Sequence, residues 1–209
     1  MMIIIFIIVV VDASTRKLIV LDDVYPNPDV VRAAALAMEF NVTGNFPGFR
    51  TRTPFSLSPA VEAKLYEALG NVHIYPATDY HGAFQYALKT HRSWIHTDRT
   101  AWSGVLYLSP NPAPRSGTRF FAHKATGLTE RPNEEDAARL GYKDNVSGLT
   151  QALYRDAQHY DRWQLLDEVG NRYNRLVLFR GYSWHQSARY FGEDLQSARL
   201  FQTFFFDTR

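Results

Sequence analysis

The chain has 209 residues, of which 45% are apolar, so it is long and apolar enough to bury a sizeable core. Its 23 basic and 21 acidic side chains give a formal net charge of +2, which argues against a broad binding surface for duplex DNA or RNA. The chain has no cysteine, which excludes disulfides, thiolate zinc sites, iron–sulfur clusters and a cysteine nucleophile.

The first predicted element is the run of Met, Ile, Phe and Val over residues 1–11. It is shorter than the about 20 apolar residues that a transmembrane helix needs. It also lacks the positive start and the small-residue cleavage site of a signal peptide. Its β-branched composition predicts a buried strand, with residues 17–21 as the second strand of a hairpin. We therefore expect a cytoplasmic protein that does not bind a membrane.

Two helices are predicted next along the chain. Asp29 can cap a helix over residues 30–40. Ser58 and Pro59 suit the cap and the first position of a second helix. Between them, residues 41–53 are rich in Gly and Pro and are predicted to form a loop.

The remainder of the chain consists of short apolar or aromatic runs separated by turns, which is typical of an antiparallel β sandwich or jelly roll. We expect one mainly β domain with flanking helices (α+β) over residues 1–209. Residues 1–75 would supply N-terminal strands and supporting helices, and residues 76–209 would form the core. A polar stretch near residues 125–146 predicts an insertion with a short helix, which would border the mouth of a site. The predicted strands cover residues 82–88, 104–108, 118–122, 162–166, 175–179 and 200–206.

Three residues have the chemistry of a metal site. His96 and Asp98 are two positions apart, and residues at this spacing on a strand point to the same face. His185 follows a later apolar strand, and a rolled sheet can bring it opposite the first pair. Two imidazoles and one carboxylate can hold iron(II) on one face and leave the other face open. Two alternatives stay open at this point: an incidental surface ion pair for His96 and Asp98, and a hydrogen-bonded structural role for His185.

An arginine follows the second histidine. Arg199 stands immediately before the apolar run over residues 200–206, so its guanidinium enters a core and needs an anionic partner. A guanidinium can bind the carboxylate of a keto acid through two parallel hydrogen bonds. The alternative is an edge arginine with its head in water. Arg189 competes for the same role, although it lies in a predicted loop.

The order of these residues resembles the iron(II)/2-oxoglutarate-dependent dioxygenase superfamily, in its prolyl-hydroxylase- and phytanoyl-hydroxylase-like branch with small bacterial members. The resemblance covers roughly residues 80–206. The order is a metal His-x-Asp, a strand that begins at glycine, an apolar strand, a second metal histidine and an arginine. The segments that carry it are Trp94-Ile95-His96-Thr97-Asp98, Gly104-Val105-Leu106-Tyr107-Leu108-Ser109, Gly117-Thr118-Arg119-Phe120-Phe121, Asn174-Arg175-Leu176-Val177-Leu178-Phe179, His185 and Ala198-Arg199-Leu200.

The resemblance implies a double-stranded β-helix (a cupin-like jelly roll) in which His96, Asp98 and His185 hold Fe(II). Arg199 would bind the 5-carboxylate of 2-oxoglutarate, and O2 would be the second co-substrate. An intact Asp98 favours hydroxylation, or a related oxidation such as desaturation, over halogenation.

The resemblance also implies that a polar side chain on a neighbouring strand assists Arg199. The candidates are Tyr107 and Tyr86, with Gln85 on the opposite face of the strand from Tyr86. A strand tyrosine is more often part of the core, which is the alternative for both.

Three further residues are candidates for contacts with the substrate: His123, Arg119 and Trp184. The alternatives are a polar loop histidine, a solvated strand end and a core tryptophan, respectively. Specificity would lie in the segments over residues 41–53 and 125–146.

The functional hypothesis is therefore an oxygenase that hydroxylates a small molecule, an amino acid or a peptide-linked residue. Two alternatives from other classes are carried with it. One is a cupin-like metal-dependent hydrolase or isomerase, because zinc accepts the same ligands with an open water position. The other is a non-catalytic jelly-roll binding protein with incidental histidines.

Overall fold

The computed structural model describes residues 17–143 and 145–209. Within these residues the chain forms eleven strands, four α-helices and one turn of 3-10 helix (Tyr160–Arg162). The strands are β1 (Leu18–Leu21), β2 (Val42–Gly44), β3 (Phe46–Arg50), β4 (Ile74–Pro76), β5 (Phe84–Ala87), β6 (Trp102–Tyr107), β7 (Thr118–His123), β8 (Trp163–Val169), β9 (Leu176–Arg180), β10 (His185–Ser187) and β11 (Arg199–Thr208). The helices are α1 (Pro28–Leu36), α2 (Pro59–Ala68), α3 (Glu134–Arg139) and α4 (Val146–Asp156).

The strands form two antiparallel sheets. The larger sheet has the order β1-β9-β6-β11-β5-β3-β2, and β4 pairs with the C-terminal end of β11. The smaller sheet has the order β10-β7-β8. An isolated bridge between His96 and His185 adds the segment around His96 to the free edge of β10. The chain is thus mainly β, as the sequence predicted.

The two faces of β11 show how the layers are arranged. Leu200, Phe204 and Phe206 belong to a buried cluster that includes apolar side chains of α1 and α2. Phe201 and Thr203, at the alternate positions, line a cavity on the opposite face of the strand. Because side chains of a strand alternate between its faces, the inward face of the larger sheet is directed toward the smaller sheet.

The helical segment between β7 and β8 covers the outer face of the smaller sheet. Leu149 and Leu153 of α4 pack in a buried cluster with Phe121 of β7, and with Trp184, which immediately precedes β10. The stretch near residues 125–146, where an insertion with a short helix was expected, contains α3 and leads directly into α4. Helix α4 was not predicted from the sequence. No helix of the described residues combines the length and the apolar character that crossing a membrane requires.

The strands predicted at the six apolar runs and the two helices predicted in the N-terminal part are confirmed by the structure. The strand expected over residues 17–21 is also confirmed, as β1, and its partner among the described residues is β9. The strand expected over residues 1–11, and with it the expected hairpin, lies outside the described residues.

The prediction of a loop over residues 41–53 was wrong, because β2 and β3 form there and extend the larger sheet. β3 pairs with β5 directly, placing Arg50 opposite Gln85. Gly48 makes this approach possible: its φ is +82°, and a Cβ there would lie 1.9 Å from the carbonyl oxygen of Tyr86. A side chain at this position would push the hairpin away from β5.

Candidate metal centre

The smaller sheet brings the two predicted metal histidines together. His96 and His185 exchange both backbone hydrogen bonds at 2.9 Å, as an antiparallel pair does. Their ring centroids are 4.3 Å apart, and both rings line the same cavity. The pairing therefore settles that the two imidazoles converge.

Asp98 completes the group. Its backbone N–H donates to the carbonyl of Gly181 at 2.7 Å, which anchors the residue beside the turn that precedes β10. Its Oδ2 lies 3.5 Å from Nε2 of His185. One ligand atom from each of His96, Asp98 and His185 lies within 4.8 Å of the other two, so a single cation can reach all three.

Backbone carbonyls fix the orientation of both imidazoles. Nδ1 of His96 lies 3.0 Å from the carbonyl oxygen of Trp94, and Nδ1 of His185 lies 2.9 Å from that of Ser183. In each case Nδ1–H is the donor, since a carbonyl only accepts, and the neutral ring is left with a lone pair on Nε2. Metal-binding histidines are commonly oriented in this way.

A serine that the sequence analysis missed holds the carboxylate. Ser103 donates its hydroxyl to Oδ2 of Asp98 at 2.6 Å and is itself buried. It occupies the second position of β6 and shares the inward face with Val105 and Tyr107. Its position, five residues after Asp98 and in phase with Tyr107, is the sequence signal that could have found it.

Burial determines the protonation of His185. Desolvation, followed by the proximity of His96, lowers the pKa of His185 to about 4, although Asp98 and the Ser183 carbonyl act in the opposite direction. The imidazole is therefore neutral near pH 7, which is the form that binds metals.

Two of the three residues, His96 and Asp98, line both of two neighbouring cavities, and His185 lines the inner one. An inner cavity of about 230 Å³ extends between the sheets and is walled by aromatic side chains that include Trp94 and Phe179. An outer cavity of about 910 Å³ is bordered by α4. His96, Asp98 and Trp94 line both. A molecule bound at these residues can therefore extend inward between the sheets or outward toward α4. We call the outer cavity the vestibule.

Arg199 is fully buried on the inward face of β11. Its Nε donates to the carbonyl of Ser116 at 2.8 Å, and its Nη2 is 3.4 Å from the carbonyl of Gly117. Its Nη1 is buried without a hydrogen-bond partner in the described structure. Such an unpaired donor is costly unless a ligand satisfies it.

The guanidinium of Arg199 lies close to the inner cavity without lining it. Its Cζ is 4.6 Å from the ring centroid of Phe201 and 5.6 Å from that of Tyr190, and both of these side chains line the cavity. The competing residue Arg189 lines a different cavity, with Lys89 and Tyr160, that contains none of the three metal-site residues.

The two candidate tyrosines lie in different places, and only Tyr107 is near Arg199. Tyr107 is buried beside Arg199, with 5.2 Å from the guanidinium carbon to its ring, and its hydroxyl hydrogen-bonds that of Thr118 at 2.8 Å. Burial is the largest cause of a raised pKa at Tyr107. Tyr86 lies on the opposite face of β5, packed against Phe40 at 5.0 Å and Phe49 at 5.4 Å. The structure thus does not bring Tyr86 to the site, because the strand alternation that turns Gln85 inward turns Tyr86 outward.

None of the three expected substrate contacts lines either cavity of the metal centre. His123 hydrogen-bonds Asp156 at 3.1 Å on the outer side of the smaller sheet. Arg119 pairs with Glu168 at 2.8 Å on that same side. Trp184 is fully buried under α4. The side chains of Arg119 and His123 on β7, and that of Trp184 just before β10, point away from the space between the sheets, which corrects the expectation.

A second arginine that the sequence analysis missed does line the inner cavity. Arg50 of β3 is buried and faces the same space as the metal ligands. No periodic pattern in its segment signalled this position, since the segment was predicted to be a loop.

Comparison with known proteins agrees with the fold. The model of the family described as "Family of unknown function (DUF6445)" matches residues 6–206. No curated protein matches the sequence significantly.

Two solved structures are similar to this chain. HygX from Streptomyces hygroscopicus with nickel and 2-oxoglutarate bound has 15% sequence identity and a TM-score of 0.55, over 92% of this chain and 83% of that chain. SnoK, a non-heme alpha ketoglutarate dependent carbocyclase from nogalamycin biosynthesis, has 10% identity and a TM-score of 0.50, over 93% and 81%. The resemblance to iron(II)/2-oxoglutarate-dependent oxygenases that the sequence indicated is confirmed at the level of the fold.

Proposed function

The chain belongs to the DUF6445 family, a family of unknown function, and we propose that it is an iron(II)- and 2-oxoglutarate-dependent oxygenase. The observation that carries the proposal is the convergence of His96, Asp98 and His185, whose ligand atoms lie within 4.8 Å of one another. The reaction is the hydroxylation of a small molecule, an amino acid or a peptide-linked residue.

The architecture supports this function. One sheet contains β5, β11, β6 and β9 in this order, and the other contains the segment at His96, then β10, β7 and β8. We interpret these eight positions as the two four-stranded halves of a double-stranded β-helix in a single domain. The metal ligands would then lie on the edge of the smaller half, facing the space between the sheets.

The residues fit the two groups that the function requires. Two neutral imidazoles and one carboxylate on one side of a cation are a donor set for iron(II) with open positions. The unpaired Nη1 of Arg199 fits a carboxylate of a keto acid. When bound, iron(II) and 2-oxoglutarate supply the oxidation: O2 is consumed, 2-oxoglutarate becomes succinate and CO2, and one oxygen atom enters the substrate.

The chain's own side chains provide binding and orientation. The carbonyls of Trp94 and Ser183 keep both imidazoles in the metal-binding tautomer, and Ser103 holds one oxygen of Asp98. Aromatic walls of the inner cavity, Phe179 among them, make the space between the sheets less polar on that side of the ligands.

Arg199 would bind the carboxylate of 2-oxoglutarate that lies farthest from the metal. Tyr190 and Phe201 line the cavity beside the guanidinium and would border that carboxylate. Tyr107 borders the guanidinium, and its hydroxyl pairs with that of Thr118, which can extend the hydrogen bonding.

Arg199 also separates this function from a zinc hydrolase or isomerase that uses the same three ligands. Such an enzyme has no need of a buried guanidinium that keeps one donor for a carboxylate. The unpaired Nη1 therefore favours the keto-acid co-substrate.

The test is an anaerobic titration of the Fe(II)-loaded protein with 2-oxoglutarate, followed by its visible charge-transfer band. We expect the band in the wild type, its loss in His96→Ala, and its persistence in His73→Ala. His73 is a suitable control because it lies beside α2 and β4, in a cavity that contains none of the metal ligands. Absence of the band in the wild type, or an equal band in His96→Ala, would contradict the proposal.

A further inference from the structure

Arg50 is a buried cation whose role the proposed metal and co-substrate binding does not explain. It is the last residue of β3, only 7% exposed, and it lies opposite Gln85 in the pairing of β3 with β5. Both side chains line the inner cavity together with His96 and Asp98. The close approach at Gly48 holds this strand pair together and therefore fixes where the guanidinium lies.

The protein orients this guanidinium without neutralising it. Nε and Nη2 of Arg50 donate to Oε1 of Gln85 at 3.0 and 2.6 Å. The amide of Gln85 donates in turn to the carbonyl of Pro47 at 2.7 Å, which fixes its oxygen toward Arg50. The third nitrogen, Nη1, donates no hydrogen bond to any part of the chain that the structure describes. Gln85 thus holds the edge of the guanidinium formed by Nε and Nη2, and Nη1 is left for a ligand.

Aromatic rings complete the surroundings of Arg50. Its Cζ lies 3.9 Å from the ring centroid of Phe46, 5.0 Å from that of Tyr80 and 5.6 Å from that of Phe205. Burial lowers the pKa of Arg50 to about 10, against opposing effects of Tyr80 and Asp98, so the group stays charged near pH 7. Cation–π contacts stabilise such a charge only partly, and a buried charge ordinarily has a carboxylate partner.

No such partner is present in the described structure. Among residues 17–143 and 145–209, no Asp or Glu forms an ion pair with Arg50. Arg175, in contrast, binds Asp22 at 2.6 Å, and Arg119 binds Glu168. A buried arginine that faces a cavity without an acidic partner is arranged to receive an anion from outside the chain.

The vestibule is lined by positive charge, as is the inner cavity at Arg50. Arg99 and Arg131 line it, and Nε of Arg131 is a further buried donor without a partner in the described structure. Asp98 is the one carboxylate among the described residues that line the inner cavity or the vestibule, and it belongs to the metal ligands. The route to the metal therefore attracts negatively charged molecules.

We propose that Arg50 binds a carboxylate of the substrate itself, so that the compound oxidised is a small organic acid, with free amino acids included. The inference rests on the proposed function, because it assigns the anion of the co-substrate to Arg199 and a second anion to Arg50. The inner cavity of about 230 Å³ suits a small molecule, and the single free nitrogen of Arg50 suits one carboxylate oxygen.

The first measurement separates this inference from the proposed function. Anaerobic Fe(II)-loaded protein is titrated with 2-oxoglutarate in the wild type, Arg50→Gln and Arg199→Met. We expect Arg50→Gln to bind 2-oxoglutarate within about twofold of the wild type, while Arg199→Met binds it far more weakly. If Arg50→Gln instead weakens 2-oxoglutarate binding as Arg199→Met does, Arg50 serves the co-substrate and the inference is overturned. If the wild type gives no band, the proposed function fails first.

The second measurement tests the substrate class. Ni(II)-loaded protein saturated with 2-oxoglutarate is unreactive, so ligand binding can be followed by thermal shift. The probes are the twenty proteinogenic L-amino acids and a set of small aliphatic and aromatic monocarboxylic acids, each compared with its primary carboxamide. We expect at least one acid to raise the melting temperature while its carboxamide does not. Failure of every acid, or an equal effect of the carboxamides, would overturn the inference.

Variants of Arg50 connect the result to the guanidinium. For the acid that binds best, Arg50→Gln is expected to lose about 30-fold or more in affinity, and Arg50→Lys less, because the charge remains. Glutamine can still donate to Oε1 of Gln85, so this variant retains a partner for the buried amide. Arg52→Gln is the matched control, since Arg52 is exposed and lines neither cavity. Unchanged affinity in Arg50→Gln would refute the assignment.

Discussion

Replacing Arg199 by methionine tests the co-substrate site most directly. Methionine keeps much of the buried volume of the side chain but removes its charge and all of its donors. Removing one partner of a buried, hydrogen-bonded charge pair costs roughly 2–5 kcal/mol. Two nitrogens of Arg199 already face the carbonyls of Ser116 and Gly117, and Nη1 is unpaired, so we expect a value in the middle of this range. A loss of about 3 kcal/mol corresponds to an affinity for 2-oxoglutarate that is roughly 150-fold lower.

The assay is the anaerobic titration of the charge-transfer band, with the concentration of 2-oxoglutarate raised until the band saturates. At saturation the band should reappear in Arg199→Met, because the metal ligands are intact and only the affinity has changed. The carbonyls left without a donor would also lower the stability of the fold, by about 1–3 kcal/mol, so a urea titration is needed beside it. Arg189→Met is the matched control, since Arg189 lines a different cavity. Unchanged affinity in Arg199→Met, or an equal loss in Arg189→Met, would refute the reasoning.

Two further predictions concern the metal ligands. Ser103→Ala removes the hydrogen bond to Asp98 and should lower the affinity for Fe(II) by about 10- to 100-fold in a chelator competition. Ser109→Ala, at another buried serine, is the control and should leave the affinity unchanged. Equal losses in the two variants would count against an orienting role of Ser103. The pKa of about 4 at His185 lies below its ordinary value of 6.5, so the unfolded state binds more protons between these pH values. Urea titrations of the metal-free protein should therefore show stability falling as the pH drops from 6.5 to 4, by up to about 3 kcal/mol, and a comparable fall in His185→Gln would argue against this cause.

Local sequence patterns predicted much of the fold. Apolar runs with turns between them identified six strands, and the Ser58-Pro59 pair marked the start of α2. These predictions depend on side-chain alternation and capping, which are properties of a few neighbouring residues. The same patterns failed over residues 41–53, because β3 exists through its pairing with β5 and not through its own composition.

The sequence by itself determined the chemistry available to the centre: the absence of thiolates, a His-x-Asp pair in phase on one face, a distant histidine, and an arginine at the start of an apolar strand. The tertiary structure alone decided that His96 and His185 pair at 2.9 Å, that Tyr107 and not Tyr86 borders Arg199, and that Arg50 faces the metal ligands. The physical reason is the separation along the chain between the residues that determine each property. The direction of a side chain follows from its own strand, but the neighbour across a sheet or cavity depends on pairing between segments far apart in the chain.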